Sequence, residues 1–128
     1  MASSEPTKVR SLVQRLRRAT RHRFPGAGRT LACPPRHGVY IIYSRHGRVA
    51  HVGRTTRTKR GLLDRLRAHL DGRSSFVQDD MDGRSAMLRR GYSYAWIEVA
   101  DPRLRALTEA LATGLLCPRH IGTSEAAL

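Results

Sequence analysis

Apolar residues recur at helical spacing at Val9, Leu12, Val13 and Leu16. This predicts a helix from Thr7 to Arg23 with Arg10, Arg17, Arg18 and Arg21 on its opposite face, after a frayed tail over residues 1–7. Pro25-Gly26, Gly28 and Cys33-Pro34-Pro35 mark residues 24–37 as a loop. Residues 38–43 (GVYIIY) are β-branched and aromatic, and apolar on both faces, as expected of a central strand covered on both sides. Alternation puts Tyr40 and Ile42 on one face of that strand and Val39 and Ile41 on the other. Ser44 to Gly47 read as a turn and residues 48–53 (RVAHVG) as the return strand of a hairpin. Leu62, Leu63, Leu66 and Leu70 form the apolar stripe of a second helix over 61–71, stopped by Asp71-Gly72. Residues 74–90 read as broken helix interrupted at Gly83, and residues 92–99 (YSYAWIEV) as a third strand. A last helix spans 102–117, with Pro102 in its first turn and Pro118 just beyond its end.

The predicted class is α+β: a small three-stranded, mainly antiparallel sheet flanked by helices. At 128 residues the chain has room for one modest core. It divides into a basic N-terminal helix and Pro/Gly loop (1–35), a main domain (36–121) and a C-terminal tail (122–128).

Charge adds a partner to this picture. The formal net charge is +14, and the first 73 positions carry 18 of the 24 Lys and Arg residues but only three of the ten Asp and Glu. So lopsided a balance favours a polyanion such as nucleic acid. Arginine outnumbers lysine 22 to 2; its planar fork grips phosphate with two hydrogen bonds, although a GC-rich genome produces the same bias. Cys33 and Cys117 form no CxxC pair, which argues against a cysteine zinc site. No apolar run is long enough for a membrane span and the N-terminus lacks a signal-peptide core, so the expectation is a cytoplasmic protein with reduced thiols.

Two blocks of residues carry more specific chemistry. The first is Gly38-Val39-Tyr40, then, eleven residues after Tyr40, His51-Val52-Gly53, followed by Arg54-Thr55 and Arg65-Leu66-Arg67-Ala68-His69. The second is Leu107-Thr108-Glu109-Ala110-Leu111 and Leu116-Cys117-Pro118-Arg119-His120. Together, in this order and on these predicted elements, they resemble the GIY-YIG nuclease superfamily, with His51 in place of the second tyrosine and His120 near the usual asparagine. The resemblance spans roughly residues 36–121. It implies hydrolysis of a DNA phosphodiester by a water nucleophile with one Mg²⁺ or Mn²⁺ per site. Tyr40 would be general base or water-orienting group with His51 assisting, Arg65 the phosphate clamp, Glu109 the metal ligand, and His69 and His120 orienting groups. It leaves sequence specificity to this domain, to a second copy in a homodimer, or to a separate partner.

Without the family, the same residues read more plainly. Tyr40 is a core tyrosine whose hydroxyl reaches the surface. Arg65 and His69, four apart, share a helix face on one shoulder of the leucine stripe. Glu109 points away from Leu104, Leu107, Leu111 and Leu115, which reads as solvent-exposed. Asp79, Asp80 and Asp82 lack the spacing of a calcium loop and read as a solvated turn. Arg54, Arg57, Lys59 and Arg60 directly after the hairpin, with Arg67, are candidates to grip a DNA backbone. His51 alone reads as a structural or surface histidine; in the base role that the resemblance implies, an unperturbed imidazole titrates at about 6.5 and would give activity a limb there. Two other readings stay open: a non-cutting DNA-binding module on the same fold, and a basic RNA- or ribosome-associated protein.

Overall fold

The computed structural model describes residues 4–121; the 122–128 tail and the first three positions lie outside the described residues. Helix α1 (Glu5–Arg18) begins at Ser4, whose hydroxyl accepts from the Thr7 amide. Such a cap satisfies an amide that the helix itself leaves unpaired, so residues 5–7 are helical rather than tail. The chain then forms β1 (His22–Arg23), β2 (Gly38–Tyr43), β3 (Val49–Arg54), α2 (Gly61–Leu70), a π-helical turn at Phe76–Asp80, a 3-10 turn at Ser85–Arg89, β4 (Ser93–Glu98) and α3 (Pro102–Leu116). Gly83 separates the two short turns, as the broken-helix reading expects.

The sheet has the order β1-β4-β2-β3, with every pairing antiparallel. It is an α+β fold with one strand more than the sequence pattern predicts. The extra strand comes from the end assigned to the first helix, which stops at Arg18. Ala19 turns extended (φ −63°, ψ 146°), and His22 and Arg23 pair with Tyr94 and Ser93. The physical reason lies in the rings. An extended backbone lets His22 stack on Trp96 at 4.8 Å and brings Phe24 to 4.7 Å from Tyr94. Continued helix would forfeit both contacts.

β2 is central and wholly buried. Its alternation splits the core as predicted: Tyr40 and Ile42 pack with Leu62, Leu66 and Phe76 under α2 and the 76–89 segment. Val39, Ile41 and Tyr43 pack with Val13, Leu16 and Ala112 of α1 and α3. The register pairs Tyr40 with Gly53 and Ile42 with His51, with a bulge at Ala50. Cross-strand partners share a face, so Tyr40, His51 and Gly53 all point to the α2 side. Gly53 is needed there: a Cβ would collide with the Tyr40 ring and hydroxyl lying across it.

The leucine stripe is only the edge of the buried face of α3, with Leu104 and Leu111 packed partly buried against the core. Arg105, Thr108 and Ala112 are buried, whereas Leu115 is 60% exposed. Arg105 is tolerated inside because it donates to three carbonyls, those of Thr55, Val99 and Ala100. It thereby ties the end of β3 to the end of β4. After α3 the chain returns along the free edge of β3, where the Arg119 and His120 amides donate to the Val49 and Ala50 carbonyls at 3.2 and 2.9 Å. No helix among the described residues is long and apolar enough to cross a membrane.

Candidate active site

The rotated burial of α3 decides where Glu109 lies. One residue beyond buried Thr108, it borders the sheet, and its side chain is only 30% exposed. The solvent-exposed reading from periodicity is therefore corrected. Across from it, Arg54 leaves the end of β3 and donates from Nε to Glu109 Oε1 at 3.0 Å. Burial raises the Glu109 pKa, and the Arg54 hydrogen bond and charge oppose that rise, with Arg65 adding to the opposition.

Tyr40, His51, Arg54, Arg65, Glu109 and His120 line one open cleft of about 570 Å³, with Thr56, Ser75 and Thr113 among the other walls. Residues from β2, β3, α2, α3 and the segment after α3 thus converge.

Behind the cleft wall lies a chain of hydrogen bonds. The Tyr40 hydroxyl and His69 Nε2 are 2.7 Å apart, and His69 Nδ1 is 2.7 Å from Ser74 Oγ. Ser74 Oγ also accepts from the Val77 amide. Tyr40 lines the cleft but is 0% exposed, so its hydroxyl ends in the cleft wall rather than at the open surface that the core-tyrosine reading expects. His69 has no exposed surface. His69 is therefore not on the cleft-bordering shoulder that its spacing implies; it stands one layer deeper and meets the cleft through Tyr40. Ser74 gives no sequence signal, since it follows the Asp71-Gly72 stop and looks like an ordinary turn serine. Burial raises the Tyr40 pKa, opposed by the nearby Arg65 guanidinium. Burial, reinforced by the His51, Arg65 and His120 charges, holds His69 well below the usual imidazole range.

His51 stacks on Phe76 at 5.1 Å and meets His120 with their Nδ1 atoms 3.2 Å apart. Burial, helped by the His120 and Arg65 charges, brings its pKa down to about 3. His51 is thus neutral through the whole range in which a free histidine titrates, and the limb expected near 6.5 moves to about 3. Because it is neutral, its close approach to His120 is a hydrogen bond between two imidazoles rather than a repulsion.

The predicted basic loop is split. Arg54 is held by Glu109; Arg60 pairs with Asp64 at 3.3 Å. Arg60 and Arg67 line a neighbouring groove that shares Arg65 with the cleft. Arg57 and Lys59 are exposed and border neither. The aspartate turn is solvated at Asp79 and Asp82, as expected, but not at Asp80. Asp80 binds Arg119, its side chain only 15% exposed, and Asp79 approaches His120 Nε2 at 3.7 Å.

Among the described residues, no three His, Cys, Asp or Glu side chains gather as a metal cage. The cleft does fit a more open arrangement, because a hard cation takes one or two carboxylates and completes its shell with water. Among the described residues, Glu109 is the only carboxylate that lines the cleft. No family model, curated protein or solved structure matches the chain.

Proposed function

We propose that the chain is a divalent-metal-dependent endonuclease of the GIY-YIG type that hydrolyses DNA phosphodiester bonds. The observation that carries this reading is the convergence of Tyr40, His51, Arg65 and Glu109 on one cleft. A proton-handling pair, a fixed cation and a carboxylate facing one cleft are the groups that hydrolysis of a phosphodiester would use.

Arg65 would meet the equatorial phosphate oxygens, where charge builds during phosphoryl transfer. Glu109 would hold Mg²⁺ or Mn²⁺, giving up Arg54 as partner; the metal supplies charge neutralisation at the phosphate and at the leaving oxygen. Tyr40 positions the attacking water. If its O–H is donated to His69 Nε2, the phenol oxygen presents its remaining lone pair to the water, and His69 Nδ1–H is donated to Ser74 Oγ. His69 then serves as positioning group. A phenol whose ionisation is disfavoured by burial suits this role better than that of a standing phenolate. His51 is the neutral imidazole at hand to accept the water's hydrogen bond, the proton itself passing to solvent because burial holds the imidazole's pKa down at about 3. It accepts that bond at Nε2 when its own Nδ1–H is donated to His120. As the P–O bond to water forms, the bond to the leaving oxygen breaks, and that oxygen takes a proton from solvent.

The Arg54–Glu109 ion pair favours one other reading, a non-cutting DNA-binding module, because the pair already satisfies the carboxylate. Incubation with supercoiled plasmid and with single-stranded DNA, in Mg²⁺, Mn²⁺ and EDTA, separates the two. The nuclease reading expects nicked or linear products with either metal and none in EDTA. Intact DNA under every condition, at protein concentrations that bind it, leaves the binding module.

A further inference from the structure

A second cleft lies on the other side of the segment that carries His120. It encloses about 440 Å³ and is lined by Arg45, Arg48, Arg90 and Arg119, with His46 beside them and Tyr92 and Met87 as its apolar part. Its arginines come from three places far apart in sequence: the β2–β3 turn, the residue after the 3-10 turn, and the strand-like return after α3. Gly91 lets the first two meet. A Cβ there would stand 3.1 Å from the Arg45 side chain, and the Arg23 guanidinium is 3.6 Å from the same point. Arg21 flanks the turn from its other end, lying over the Tyr43 ring at 3.6 Å. Only Arg119 is neutralised, by Asp80; among the described residues Arg45, Arg48 and Arg90 pair with no carboxylate.

Like charges gathered without counter-charges raise the energy of the folded state, so such a cleft is best satisfied by an anion. Guanidinium forks suit phosphate oxygens, and a row of them suits successive phosphates. The site lies beside the candidate active cleft, across the single segment in which Arg119 lines one and the next residue, His120, lines the other. We infer that this second cleft binds the phosphate backbone of DNA beyond the point of cleavage. The inference rests on the nuclease reading for its choice of DNA, but it concerns binding and not cutting.

The test is therefore made without metal. Binding of the full chain to a duplex of about two turns is followed against salt in EDTA, and each phosphate contact contributes about 0.9 to the slope of log affinity on log salt. The variant Arg45→Ala/Arg48→Ala/Arg90→Ala changes only exposed side chains, and its fold is checked by thermal melting. The control Arg10→Ala/Arg17→Ala/Arg18→Ala removes the same charge from the exposed face of α1. The expected result is at least a tenfold loss of affinity at moderate salt and a slope shallower by about 2 to 3 in the cleft variant, with a clearly smaller change in the control. Equal losses in both variants, or none in a folded cleft variant, overturn the site. Tighter binding of the parent to duplex RNA, with the same loss in the cleft variant, overturns DNA as its occupant. A parent that binds DNA in this way but never cuts removes the nuclease reading and leaves the second cleft standing.

Discussion

His51 shows how far a folded environment can move a side chain from its free behaviour. In solution an imidazole is half protonated near about 6.5; stacked on Phe76 and facing His120, this one stays neutral down to about 3. Two outcomes follow. Activity should show no limb attributable to His51 between about pH 5 and 8, and His51→Phe should cost about 10²-fold if the imidazole holds the attacking water in place. A pH–rate profile with a limb centred near 6.5 that vanishes in His51→Phe would contradict the buried, neutral state. Near-parental cutting by His51→Phe would make the residue scaffolding. Glu109 is the other residue whose environment was not legible in the sequence. Periodicity placed it in solvent because Leu104, Leu107, Leu111 and Leu115 look like a buried stripe, whereas α3 rolls to bury Arg105, Thr108 and Ala112. An arginine satisfied by three carbonyls cannot be told from an exposed one by spacing alone.

At the level of elements, the β2–β3 hairpin was legible as an apolar run, a turn and a return strand, though β3 lies one residue later than expected and the bulge at Ala50 carries no signal in the sequence. Its register also explains Gly53, whose missing side chain makes room for Tyr40. Gly53→Ala should therefore destabilise the fold by about 1–3 kcal/mol through overpacking, read as a lower thermal midpoint; an unchanged midpoint would mean that the Tyr40 ring does not lie across the strand. β1 was not legible, because two residues carry no periodicity and are held extended by pairing with β4 and stacking on Tyr94 and Trp96, both far away in sequence. The relay through Ser74 was equally hidden: nothing local links Tyr40, His69 and Ser74, which α2 and the turn after it bring together. The packed histidines predict a stability profile as well. His51 and His69 have folded pKa values below their unfolded ones, so between those values the unfolded chain binds more protons and stability rises with pH. The contribution is present in full above about 6.5 and is lost progressively as pH falls toward 3. The thermal midpoint should drop over that interval, and His51→Phe should flatten part of the drop; a midpoint that climbs on acidification would oppose the burial of these rings.

On the proposed reading the whole molecule would combine two functions that can be measured separately: a basic surface to hold a polyanion, and a small cleft for chemistry on one phosphate. The first was visible in the sequence as +15 on residues 1–73, although its division into two clefts either side of residues 119 and 120 depends on the fold. The second was visible as residue types in order, and the structure adds where they stand. Binding and cutting should therefore come apart. The Arg54–Glu109 pair is about one-third exposed, and such a pair contributes at most about 1 kcal/mol, so Glu109→Ala should fold and bind DNA nearly as the parent does. The most direct measurement is the single-turnover cleavage rate of plasmid DNA by the parent and by folded Glu109→Ala, across a titration of Mg²⁺ and with EDTA. The account predicts a parental rate that rises with metal and saturates, no cutting in EDTA, and no cutting by Glu109→Ala at any metal concentration despite intact DNA binding. Metal-independent cutting by the parent, or a Glu109→Ala rate that follows the parental metal curve, would contradict it.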